Sequence, residues 1–400
     1  MIILLLIPVI GAVILLKTHA GLFPSGQKSD EENTVRLFLC GDVMTGRGID
    51  QILDHPGDPV IHESYMKSAV GYVRLAEKVN GKIPYPVAPD YIWGEAIHFW
   101  EHLKPDVKII NLETSITSCD DPWPDKAVNY RMHPENIDCL LKPGIHYCAL
   151  ANNHLLDYGW KGMTQTMEVL QKAGITFSGC GETLREARKP AIITLPDKGR
   201  LLLFSIGLVT SGIPHAWAAE KEKGGVYLPF THQEILDYLQ SYLKENRQPD
   251  DVVVLSIHWG SNWGYDIPPN QLNLAHRLIE EGGVDVIHGH SSHHFKGIEI
   301  HRDKPIIYGA GDFINDYEGI GGHETYRGEL TLMYFLDIDM NDKNLKQIII
   351  IPLRIKNMQL QKVSGEEVKW IRSILDREGK KLNTQTRILD GYRIEVIKRQ

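Results

Sequence analysis

Six times along the chain a short apolar run ends on residues able to bind a metal ion. Residues 35–41 (VRLFLCG) lead to Asp42, 107–112 (VKIINL) to Glu113, and 145–150 (IHYCAL) to Asn152, Asn153 and His154. Residues 252–257 (VVVLSI) lead to His258, 284–287 (VDVI) to His288 and His290, and 306–309 (IIYG) to Asp312. Such runs read as strands covered on both faces. Helix-like stretches at 61–79, 90–103, 134–142, 159–173, 232–245 and 270–282 lie among them, the alternation of an α/β fold. Ligands of such sheets gather at the carboxyl ends of the strands. Core packing alone gives no reason for Asp, Glu, Asn or His to recur there.

After about residue 328 the pattern changes. Residues 330–339 and 347–355 read as antiparallel strands that complete a sheet, 366–379 as a polar helix and 391–397 as a last strand. Residues 1–16 carry no charge and are mostly Ile, Leu and Val. That is shorter than the ~20 residues a spanning helix needs and suits the apolar part of a signal peptide. Residues 1–20 are therefore read as a signal peptide or short membrane anchor, and 21–33 as a polar linker. The main domain runs over 34–360, with a C-terminal helix and strand extension over 361–400. An apolar leader places the body in the cell envelope, outside the cytoplasm.

The net charge of −8 argues against a broad grip on nucleic acid, which needs a basic surface. The five cysteines show no CxxC spacing, so they read mostly as buried small residues rather than as a zinc ribbon or disulfide scaffold. No Gly-x-Ser-x-Gly elbow is present, which disfavours a serine nucleophile. What remains is a divalent-metal centre, since carboxylates, imidazoles and amide oxygens are the donors such ions take. The candidate donors are Asp42, Glu113, Asn153, His154, His258, His290 and His293.

At this point the chain resembles a known family. Gly41-Asp42-Val43-Met44-Thr45-Gly46-Arg47, Asn111-Leu112-Glu113, Asn129-Tyr130-Arg131-Met132, Ala151-Asn152-Asn153-His154 with Asp157-Tyr158-Gly159, His258-Trp259-Gly260, Gly289-His290-Ser291-Ser292-His293 and Gly311-Asp312-Phe313 are similar, in order and spacing, to CapA-type proteins. These serve capsule and poly-γ-glutamate biosynthesis within the calcineurin-like metallophosphoesterase superfamily. The resemblance implies a four-layer αββα sandwich with mixed sheets and a centre for one or two divalent ions (Mn, Fe, Zn or Mg). It makes Asp42 a ligand of the first ion and Glu113 the bridge. Asn153, His258 and His290 become ligands of the second ion, and His293 returns to the first. His154 becomes the free imidazole that protonates the leaving group or binds substrate. Three positions depart from the superfamily: Met44 stands where a His is usual, the bridge is Glu rather than Asp, and the last pair is His-x-x-His. The first ion is thereby short of one ligand.

Arg47 and Arg131 are candidates for holding an anionic substrate, or for pairing with structural carboxylates. Asn152 is a third substrate-binding candidate. Asp285 and Asp312 are candidates for accepting the free N–H of a ligating His. Trp259 and Trp263 read as core or as a wall of the cleft. The functional expectation is a metal-dependent envelope hydrolase acting on a phosphoester or an anionic polymer, alongside membrane-embedded synthesis components and without nucleic acid. Two alternatives are a non-catalytic, metal-containing component that binds or exports polymer, and a 5′-nucleotidase-like phosphatase.

Overall fold

The computed structural model describes residues 33–399, so the apolar leader at 1–20 and nearly all of the linker lie outside the described residues. Among the described residues no helix is long and apolar enough to cross a membrane.

Two mixed sheets face each other. In the larger, strands Thr34–Val43, Val107–Leu112, Tyr147–Ala149 and Thr176–Ser178 run parallel in that order. Leu330–Asp339, Leu345–Ile355 and the hairpin Thr384–Asp390/Arg393–Lys398 extend the sheet antiparallel from the first strand. The smaller sheet is built on parallel strands Gly199–Gly207, Asp251–His258, Val286–His290 and Lys304–Ile307, with antiparallel edges Ala191–Leu195 and Ile298–His301.

Successive strand residues point to opposite faces, and the apolar positions divide accordingly. Val35, Leu37 and Leu39 join Leu201, Leu203, Val252 and Val254 in a core between the sheets. Phe38 and Cys40 face the other way, into a core with helices Val70–Asn80, Glu95–Leu103 and Gly159–Lys172. Leu202, Phe204, Val253 and Leu255 pack beneath helices His232–Asn246 and Pro269–Glu280. Helix, sheet, sheet, helix is the expected four-layer order, and each fully buried Leu or Phe side chain contributes ~1.5–3 kcal/mol to it.

Three differences from the sequence reading have local causes. The stretch 61–69 is not helical: a bridge from Val60 to Ser68 holds its ends, and Glu63 is drawn to Arg47. The end of the chain forms a hairpin rather than one strand. The described part of the extension, 361–399, is also stitched into the domain. Its helix Gly365–Gly379, started by the Ser364/Glu367 capping box, adds Val368, Ile371 and Leu375 to the core between the sheets.

Candidate metal centre

The carboxyl ends of strands from both sheets meet at one place. Gly41 and Gly311 let two backbones approach closely there: a Cβ on Gly41 would lie 1.6 Å from the Gly311 carbonyl oxygen. That contact sets Asp42 and Asp312 side by side in parallel register. The two sheets are joined at the same level by the Ser291 N–H, which donates to Asp42 Oδ2 at 3.2 Å. One His288 ring nitrogen sits 2.6 Å from the Cys40 carbonyl.

Two groups of donors result. Asp42, Glu113 and Asp312 bring one carboxylate oxygen each to within 4.8 Å of one another, all buried. His293 joins them through Nδ1, 2.9 Å from Asp312 Oδ1. The second group is mostly imidazole. His258 Nδ1 lies 2.8 Å from His290 Nδ1, and His258 Nε2 lies 3.0 Å from Asn153 Oδ1 and 3.8 Å from Glu113 Oε1. His290 Nδ1 is 3.9 Å from Asp42 Oδ1. Separations of this size are those of atoms that share an ion at ~2.0–2.2 Å.

The electrostatics suit a divalent cation. Burial and the neighbouring Asp312 push the Asp42 carboxyl up to about 8, against help from His293 and the Asn111 amide. Burial, with Asp42 and Asp312 nearby, drives Glu113 well above the carboxylate range. Burial drives His258 and His290 well below the usual imidazole range, leaving neutral rings with lone pairs to give. His290 Nε2 is buried and without a hydrogen-bond partner. Crowded buried acids are costly unless positive charge is supplied, and a divalent ion supplies it while accepting the neutral imidazoles. The residues therefore fit the group that the sequence implies.

His154 stands at the edge of this centre. Its Nε2 is 3.9 Å from Glu113 Oε1, and its Nδ1 is 2.7 Å from Asp157 Oδ2 and 3.1 Å from Lys126 Nζ. The Tyr130 ring stacks on it at 3.9 Å. Burial lowers the ring's pKa to about 4, although the Asp157 charge acts to raise it. A cavity of about 350 Å³ opens against His293 and Asp312, with Trp263, Tyr317 and the loop Gly319–Gly321 on its walls.

The predicted donors Asp42, Glu113, Asn153, His258, His290 and His293 thus come together, with His154 beside them. Other expectations change. Arg47 is buried and committed to carboxylates: its guanidinium meets Glu63 at 2.8 Å and also pairs with Asp316, sandwiched near the Tyr72 and Tyr130 rings. Arg131 donates to Cys119 O at 2.7 Å, to Asp120 and to Asp58 O, tying loops together. Asn152 is a brace, donating to Asn111 Oδ1 and Leu112 O and accepting from His154 N.

Asp285 does not support a ligating His. It precedes Val286–His290, whose far end carries His290, and it pairs with Arg247 at 2.8 Å and Lys304 at 3.1 Å. Asp312 lies against His293 as expected, and its carboxylate also stands among the candidate donors beside Asp42 and Glu113. Met44 itself is core. Sequence reasoning missed Lys126 and Asn111. Asn111 donates to Asp42 Oδ1 at 2.8 Å, and its place one residue pair before Glu113 was the available signal.

Comparison with known proteins places this geometry in a family. A probable polyglutamine synthesis accessory protein of Mycobacterium tuberculosis is 44% identical over 367 residues, which is 91% of this chain and 96% of that protein. The capsule biosynthesis protein CapA of Bacillus anthracis is 22% identical over 329 residues, 82% of this chain and 69% of that one. A crystal structure of a novel phosphatase from Mycoplasma pneumoniae overlaps with a TM-score of 0.45 at 12% identity, over 82% of this chain and 95% of that chain. The bacterial capsule synthesis protein PGA_cap family matches residues 36–317, which include every strand-end donor described above, and the chain belongs to that family.

Proposed function

We propose that the protein is a divalent-metal-dependent hydrolase of the phosphoesterase type, acting at the cell envelope in the assembly of capsule or poly-γ-glutamate. The observation that carries this reading is the convergence of Asp42, Glu113, Asp312, Asn153, His258 and His290 from separate strand ends, with His154 at their margin. The two donor groups are adjacent and share Asp42 and Glu113 as neighbours, which favours two ions (Mn, Fe, Zn or Mg) over one. The envelope setting is supported by the names of the relatives and by the apolar run at 1–16.

A bound divalent ion supplies Lewis-acid polarisation and water activation. The chain's own residues do the rest. Asp157 accepts Nδ1–H of His154, fixing the ring so that Nε2 faces the centre. With Nδ1–H engaged and burial holding the ring's pKa down at about 4, Nε2 is neutral near pH 7 and accepts a hydrogen bond, so His154 binds substrate or takes up a proton as a general base. Tyr130 stacked on the ring keeps it from turning away. The cavity beside His293 receives the rest of the substrate, a phosphoester or an anionic polymer end, delivered by membrane-embedded synthesis components.

The test is turnover of a generic phosphodiester with added manganese, wild type beside His154→Ala. General acid–base catalysis is worth ~10²–10⁴-fold, so kcat falls by about that factor with metal content unchanged. Turnover absent from the wild type, or indifferent to the substitution, leaves the role of a metal-holding polymer-binding component. Met44 in place of a histidine is the feature favouring that second reading.

A further inference from the structure

A second cluster of donors lies at the edge of the smaller sheet and shares no residue with the centre described above. His276 and Glu280 are four residues apart on helix Pro269–Glu280 and so occupy one face. Glu299 and His301 are two apart on strand Ile298–His301 and likewise share a face. The two faces meet. His276 Nε2 lies 2.9 Å from Glu299 Oε1, and His301 Nδ1 lies 3.8 Å from the same oxygen. One donor atom from each of His276, Glu299 and His301 falls within 4.8 Å of the others.

We propose that His276, Glu299 and His301 form a separate site for zinc or a similar nitrogen-favouring divalent ion. The donor separations match atoms ~2.0–2.2 Å from a common ion. Two imidazoles and one carboxylate favour such an ion over magnesium or calcium. The surrounding partners suit the role. A ligating imidazole characteristically gives its other N–H to a carboxylate, and His301 Nε2 sits 2.8 Å from Glu280 Oε1, which Arg302 Nε holds at 2.9 Å. The ligating Glu299 is braced in turn, its Oε2 accepting from Tyr308 OH at 2.7 Å.

The imidazoles stack at 3.9 Å and 5°, so sharing an ion requires one ring to turn about χ2. The His276 side chain is 34% exposed, which gives it room to do so. The competing arrangement, two His–Glu pairs with no ion, retains no zinc.

The full chain, stripped with a chelator, is loaded with excess zinc, desalted and its metal counted. Wild type, the pair His276→Ala/His301→Ala, and the pair Asp42→Ala/His258→Ala are compared. The expected result is one zinc fewer per chain in the His276/His301 pair, and one zinc kept by the Asp42/His258 pair. His276→Gln, on an accessible helix face, gives the same loss should the double variant fail to fold. Equal zinc in wild type and His276→Gln overturns the site, and it does so whether or not the main centre is catalytic.

Discussion

The two ends of the same sheets treat the same side chains in opposite ways. At the amino ends of the parallel strands the buried or half-buried carboxylates are answered by cations of the chain: Asp251 by Arg200 at 2.7 Å, Asp285 by Arg247 and Lys304, and Asp106 by Lys198 at 2.8 Å; at the same edge Asp337, on an antiparallel strand, is held by a two-pronged Arg36. At the carboxyl ends Asp42, Glu113 and Asp312 crowd together, and among the described residues no Arg or Lys side chain is hydrogen-bonded to any of them. A carboxylate at a strand end has no fixed meaning until its counterion is known. Where the chain provides one, the acid holds the fold; where it provides chiefly imidazoles, of which His293 alone is shifted up by Asp312 and Asp42, the site suits a charge from outside.

The sharpest way to break that contrast is to remove donors from the unanswered end. Asp42→Ala and His258→Ala, purified as full chains, should each lose the bound ion, with affinity down by at least about 100-fold. That exceeds the usual 10–100-fold cost of losing an outer-shell partner. Elemental analysis per chain measures it, and metal retained by both variants removes the centre.

Much of this end was legible because a strand's last residue is a topological place that sequence marks well. An apolar run stops, in three cases at a Gly (Gly41, Gly289, Gly311), and the next side chains are Asp, Glu, Asn or His. The criterion failed where that pattern was absent. Strand Gly199–Gly207 ends on glycine and was passed over, although it is the neighbour of Asp251–His258 in the sheet. Asp285 misled because it sits in the same short run as His290, yet on a five-residue strand the two ends are roughly 16 Å apart. Arg47 had the right sequence neighbours, but its partner Asp316 lies 269 residues away, a contact only the fold creates. Asp312 was assigned a supporting part because sequence order does not reveal that its strand lies in parallel register with Asp42.

The contrast can be sharpened through pH. The Asp42 carboxyl titrates at about 8 in the folded chain against an ordinary value of 3.8, so the folded state keeps a proton that the unfolded chain releases. Stability from this group is complete below about pH 4 and is lost as pH rises towards about 8, with a limiting slope of ~1.4 kcal/mol per pH unit. Glu113 acts in the same direction. The buried, depressed imidazoles of His154, His258 and His290 act the other way below about pH 6.5, so the metal-free protein should weaken between about pH 6.5 and pH 8, and saturating manganese should abolish the fall, because the ion replaces the protons. Urea midpoints with chelator and with metal give both slopes; parallel slopes would mean that the ion binds elsewhere.

The smallest effect tests the answered end. Asp285 is buried and accepts from the Val253 N–H at 2.9 Å while pairing with Arg247 and Lys304. Asp285→Ala leaves a buried N–H without its side-chain acceptor and takes the carboxylate from two cations that keep only carbonyl partners. Removing one member of a buried pair costs 3–5 kcal/mol, but the Arg247 side chain is 29% exposed and regains water. The expected loss is about 2 kcal/mol, between the buried and exposed limits. Metal content and phosphodiester turnover should stay at wild-type levels, since the change lies a strand's length from His290. A variant that kept its stability and lost its metal would reverse the roles of the two ends.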